Sequence, residues 1–124
     1  MSTLKVNNIQ TASGGSNSTP EQIEQGRAKV WCRWHTSGGA AIDDSFGVSS
    51  VADNGTGYSY VNFSTSFSNA NYAVVCGGQE DSGGGGRFTN ARSPESNRSQ
   101  FEFRNASNSL RDASHLHATF HGDQ

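Results

Sequence analysis

Between Arg27 and His35 the chain alternates without a slip. Ala28, Val30, Cys32 and Trp34 fall on one side of an extended chain, and Arg27, Lys29, Trp31, Arg33 and His35 fall on the other. Period two is the signature of a half-buried strand, because successive side chains of a strand leave opposite faces. The pattern returns in short pieces down to the C-terminus. Phe46, Val48 and Val51 open a second strand pair, and Tyr58 to Phe63 is its returning strand. Between them Asp53-Asn54-Gly55-Thr56-Gly57 is a strong hairpin signal, since Asn-Gly supplies the positive φ angles of a tight turn. Tyr72 to Gly77 is a near-continuous apolar run and reads as a central strand. Arg87 to Asn90 reads as a short strand, and Phe101 and Phe103 alternate with Glu102 and Arg104. Leu116, Ala118 and Phe120 alternate with His115, His117, Thr119 and His121. The segments 36–39, 80–86, 93–99 and 105–109 read as turns and loops. About seven or eight short strands at this spacing predict an all-β fold, a small antiparallel β-sandwich over 27–122.

Composition agrees with such a fold. Charged residues are 16% of the chain and hydrophobic ones 31%, with 15 glycines; ordinary globular chains carry about 25% charge. Ser, Gly, Asn and Thr fill the difference, as suits turns and polar strand faces. The net charge is -2, and the nine Lys and Arg form no run, so no nucleic-acid partner is expected. No apolar stretch approaches the ~20 residues needed to span a bilayer, so no membrane insertion is expected. The first ten residues lack the apolar core of a secretory signal. Asn17, Asn54, Asn62, Asn97 and Asn105 in Asn-x-Ser/Thr therefore read as products of composition. Cys32 and Cys76 sit in apolar runs and read as buried free thiols. A disulfide between neighbouring strands, or a metal or reactive role, is the alternative.

The chain divides at residue 18. Residues 1–18 read as an extended attachment or oligomerisation segment with a linker, and 19–124 as the sandwich domain. In the first part Leu4, Val6 and Ile9 alternate, and Thr11 to Ser18 is a Gly/Ser linker. Three apolar residues make no core, so this segment is expected to be a disordered tail or to dock on another chain by strand addition. Thr19-Pro20-Glu21-Gln22 then predicts one short helix near 20–25. Thr19 is its N-cap, Pro20 its first turn, Gln22 the partner in a capping box, Ile23 its apolar anchor and Gly26 its C′ stop.

The run Pro20-Glu-Gln-Ile-Glu-Gln-Gly-Arg-Ala-Lys-Val-Trp31 resembles a segment of bacteriophage tail and fibre proteins, where a capped helix precedes a Trp-containing first strand. Phe46 to Tyr58, Val61 to Thr65 and Asn69 to Val75 resemble the next strands of that module, and Arg104 to Ser114 with Phe120-His-Gly122 resembles its closing hairpin. Thr3 to Thr11 is similar to N-terminal segments of phage fibres. The resemblance covers about 19–124. It implies a non-enzymatic virion protein of the tail: a fibre or fibre-attached component for host attachment or tail assembly, made in the host cytoplasm. It also implies a homotrimer that contacts other tail proteins. A capsid decoration protein is compatible with the same module. A looser similarity of strand pattern, over Phe63 to Val75 and the last hairpin, points to H-type lectins and hence to a free-standing carbohydrate-binding module. The chain departs from the phage pattern at His115, His117 and His121, where small or aromatic residues are usual, and at Cys32, where aliphatics are.

Three groups could carry chemistry. His115 and His117, at i and i+2, leave one strand face together; around a trimer axis such pairs could ring a metal, as in some phage fibre tips, while the plainer reading is solvated or interface histidines. Trp31 with Arg33 and His35 forms either a subunit interface or a platform for a host surface glycan. Asp43-Asp44 and Glu80-Asp81 fall in expected turns and read as solvated pairs, and Gly83–Gly86 reads as a flexible loop tip. No nucleophile or metalloprotease motif occurs, so no enzyme is expected, and no cofactor.

Overall fold

The computed structural model describes residues 1–80 and 87–124. Eight strands build two antiparallel four-stranded sheets that share one core, as the alternation predicts. The first sheet runs β4 (Ala41–Phe46), β3 (Val30–His35), β10 (His115–His121), β7 (Ala73–Gln79), in that spatial order. The second runs β5 (Val48–Asp53), β6 (Tyr58–Phe63), β9 (Arg98–Asn105), β8 (Arg87–Glu95). Helix α1 spans Pro20–Gly26, and β1 (Ile9–Gln10) pairs with β2 (Asn17–Ser18) in a small hairpin of their own.

The inner faces obey the sequence pattern. Val30, Cys32 and Trp34 of β3 and Leu116, Ala118 and Phe120 of β10 are buried against Val61, Phe63, Phe101 and Phe103 of the second sheet. Trp34 meets Phe101 edge-on at 5.0 Å and Phe63 meets Phe120 at 4.9 Å, so aromatic contacts cross between the sheets. Such pairs contribute about 0.5–1.5 kcal/mol beyond area burial. The one indole N–H in this core donates to Ser59 Oγ at 3.1 Å, which removes the cost of burying it unpaired. Phe67 and Tyr72 close one end of the core beside Phe63.

A single residue carries the chain from one sheet to the other. Gly47 sits between β4 and β5 with φ of 72°, a left-handed conformation that glycine adopts without strain. The Asn54-Gly55 hairpin forms as expected, with Gly55 at φ 91° and its N–H bonded to Asp53 Oδ1 at 2.8 Å.

Several expectations are corrected. Asp43 and Asp44 lie inside β4, where a turn was expected. The run after Tyr72 is an edge strand, since β7 pairs only with β10 in the sheet order. Most of the segment 93–99 is strand: β8 runs to Glu95 through Ser93 at φ 42°, and only Ser96 and Asn97 turn. Thr11 to Ser18 folds back, with Thr11 N–H donating to Ser16 O at 3.0 Å, so it is a hairpin turn here. Gly26 closes the helix without a positive φ, and Arg27 is the C-cap in extended geometry. Thr19 and Gln22 do form the capping box. Ile23, however, is exposed, and polar contacts hold the helix instead: Glu24 pairs with the buried Lys29, and Gln25 Nε2 donates to Asp123 Oδ1 at 2.7 Å. The expected loop tip Gly83–Gly86 and the acid Asp81 lie outside the described residues.

Candidate functional site on the outer face of the first sheet

The outward positions of β4, β3, β10 and β7 line up in rows fixed by strand register. One row reads Phe46, Trp31, Thr119, Val75. Phe46 is 59% exposed, Trp31 37% and Val75 69%. These are the three large apolar side chains that the sandwich leaves open on this sheet, and they share one stripe across its four strands. This stripe also explains why the β7 run looked central in the sequence. Val74 and Cys76 pack inward while Val75 points out, so the strand is apolar on both sides although one side has no cover.

The next positions along the sheet are polar. Arg33 lies opposite Asp44 on one side and His117 on the other. A β-bulge between Arg33 and Trp34 adds a residue to β4, which brings Asp43 to the same face as Asp44. Asp43 Oδ1 takes a 2.8 Å contact from His35 Nδ1, while its other oxygen stands 3.7 Å from Arg33 Nε and 3.8 Å from His115 Nδ1. Arg33 Nη2 lies 3.3 Å from His115 Nδ1. A guanidinium only donates, so His115 accepts at Nδ1 and carries its proton on Nε2. Trp31, Arg33 and His35 thus do share one face, and His115 joins them through Arg33. His117 lies on the same face, with its imidazole over Gly77 of β7.

A metal ringed by histidine pairs at a trimer axis would draw its ligands from several chains. Among the described residues no three His, Cys, Asp or Glu side chains converge as a cation site, and His115 is engaged with Arg33. The cysteines are free thiols. Both lie opposite Ala118, on strands either side of it, hence two strand spacings apart, about 9–10 Å, which no disulfide spans. Burial, with Asp43 adding to it, pushes the Cys32 thiol up to about 12, so it stays protonated and packs as a small apolar group.

The outer face of the second sheet is closed on itself. Glu102 accepts from both Arg92 and Arg104, and only 7% of its side chain is exposed. Arg98 lies over the Tyr60 ring at 4.4 Å and pairs with Glu95 at 2.9 Å. Arg92 covers Tyr58 at 5.8 Å. Phe88, at the β8 edge, is the large apolar side chain left open there.

A second open apolar region lies at the N-terminus. Leu4, Val6 and Ile9 face Pro20 and Ile23 across a cleft of about 510 Å³, with Glu24 and Arg27 at its rim. Leu4 remains 84% exposed, so the segment and helix are apposed without making a core.

No protein-family model matches this chain, and no curated protein or solved structure does.

Proposed function

We propose that the chain is a non-enzymatic structural and attachment component of a bacteriophage virion, carried on the tail as a fibre or fibre-attached protein. The observation that supports this most is the uncovered row of Phe46, Trp31 and Val75 on an otherwise well-packed sandwich. Contiguous exposed apolar surface on a small domain marks a contact surface, and an aromatic flanked by Arg and His is the composition of an interface centre. In this reading the row packs against sister chains in a homotrimer. Leu4, Val6 and Ile9, which find little cover within the chain, dock on another tail protein by strand addition. The sandwich then projects from that anchor.

Imaging of intact particles with the chain tagged at its C-terminus tests the location, and deletion of residues 2–12 tests the anchor. The expected result is a tail-located label, lost from particles on deletion, with the truncated sandwich still folded. A label on the capsid, or normal incorporation after the deletion, overturns the corresponding part. Light scattering tests the trimer: a stable monomer at micromolar concentration contradicts it.

A further inference from the structure

Beside the apolar row the same face holds a concavity of about 370 Å³, lined by Arg33, Gly78, Gln79, His115 and His117. Its floor is thin. A Cβ on Gly77 would stand 2.6 Å from His117 Nε2, so the missing side chain lets that imidazole lie across β7. A Cβ on Gly78 would stand 2.7 Å from Leu116 Cδ2 and 2.9 Å from the Phe103 ring, so its absence serves the core side. Gly77 thus seats the His117 imidazole at the edge of the hollow, and Gly78 lines it with backbone.

Hydrogen-bond donors surround this floor, and none of the lining residues is acidic. Arg33 brings a guanidinium, Gln79 an amide, and His115, as the Nε2–H tautomer argued above, a ring N–H. The carboxylates of this face, Asp43 and Asp44, belong to β4, on the side of Arg33 away from β10. Each has one oxygen engaged at 2.8 Å, Asp43 by His35 and Asp44 by the Ser45 N–H. The other oxygen of Asp43 stands 3.7 Å from Arg33 Nε and 3.8 Å from His115 Nδ1, an ion-pair contact beyond hydrogen-bond range that leaves the guanidinium N–H groups free to donate. Glu80, which follows Gln79, is paired with Arg87 at 2.7 Å.

We propose that this concavity binds an oxyanion carried on a sugar-sized ligand, either the carboxylate of an acidic saccharide or a sugar phosphate, with Arg33 as the group that grips it. A guanidinium matches either oxyanion bidentately, and the volume stands at the small end of the roughly 300–1,000 Å³ typical of small-molecule sites. The proposal goes beyond the virion reading and holds or fails independently of it.

The test titrates the full chain with trigalacturonate, its methyl ester, glucose 6-phosphate and glucose, followed by calorimetry and by the NMR resonances of His115 and His117. At least one charged ligand is expected to bind and to move both histidine resonances, with its uncharged counterpart about tenfold weaker or worse. Arg33→Gln is expected to weaken binding by about tenfold or more. Arg98→Gln, on the opposite sheet, is expected to leave affinity unchanged. Binding of the uronate identifies the carboxylate as the source, and binding of the sugar phosphate alone identifies the phosphate. The proposal is overturned if neither charged ligand binds, if the uncharged forms bind equally well, or if Arg98→Gln costs as much as Arg33→Gln. Should Arg33→Gln not fold, the wild-type spectra decide: a bound ligand that leaves His115 and His117 unmoved places binding elsewhere.

Discussion

The two outer faces of this sandwich are built from similar strands and come to opposite ends. On the β5-β6-β9-β8 face the charges are arranged as a closed set, with Arg92 and Arg104 on the Glu102 carboxylate, Arg92 also covering Tyr58, and Arg98 laid over Tyr60. On the β4-β3-β10-β7 face an apolar row is left bare beside a loosely paired Arg33. The first face has paired its charges and leaves one large apolar side chain, Phe88, open at its edge. The second leaves apolar area and donors without cover from the chain itself. Because the two share one core, the difference comes from outward residues alone, and mutations can separate it from stability.

The largest effect should come from the shared core, and it should not distinguish the faces. Trp34→Ala removes a fully buried ring between the sheets and should cost about 3–5 kcal/mol in denaturant unfolding, lowering binding by either face through unfolding alone. Gly78→Ala, which forces a methyl onto Leu116 and Phe103, should cost about 1–3 kcal/mol; an unchanged midpoint would mean that the floor of the hollow is soft.

Glu102→Gln should open the closed face, at about 1–2 kcal/mol. The effect carries a pH signature. Hydrogen bonding from Arg104 holds the Glu102 carboxyl below its ordinary range; burial opposes this, and Arg92 reinforces it. A lowered folded-state pKa gives stability that is complete above the unfolded carboxylate value and is lost as pH falls through the folded one. The gap in stability between wild type and Glu102→Gln should therefore narrow as pH falls below the ordinary carboxylate value of about 4.3. A gap that is constant with pH would show that the charge is not what matters there.

The smallest effect on folding should come from the open face. Trp31→Ser together with Phe46→Ser should change the stability of the isolated sandwich by no more than about 0.5 kcal/mol each, yet abolish self-association in sedimentation. If unfolding were hit as hard as in Trp34→Ala, the row would belong to the core and the contrast between faces would disappear.

Strands whose two faces differ in polarity were legible from the sequence. β3 and β10 alternate residue by residue, with Trp31 the one large apolar side chain on the outer side, and their phase could be read directly. β4 was missed because Ala41-Ile-Asp-Asp-Ser-Phe46 places paired carboxylates where a turn is the usual reading; the bulge that accommodates them depends on its partner strand. β7 was found but placed at the centre, because an edge strand with an uncovered apolar outer face looks like one covered on both sides. Of the candidate groups, Trp31, Arg33 and His35 were visible by alternation alone. The hollow was not, since it depends on Gly77 and Gly78 being brought beside His117 and Leu116 by long-range register. The cross-links of the helix, Glu24 to Lys29 and Gln25 to Asp123, likewise lie beyond local pattern.

The antiparallel register of β3 and β10 has a mechanical meaning. Val30, at the start of β3, stands opposite Phe120, and Trp34, near its end, stands opposite Leu116. A load entering through the N-terminal segment pulls β3 from its Val30 end. A counter-load applied at His115 and His117 pulls β10 from the other end of the same ladder. The two strands are then drawn past one another along their length, and the hydrogen bonds between them bear the tension together, not one after another as in a zipper. A tether at the first residues and a grip at the histidine end would place this sandwich in the direction in which it resists force best.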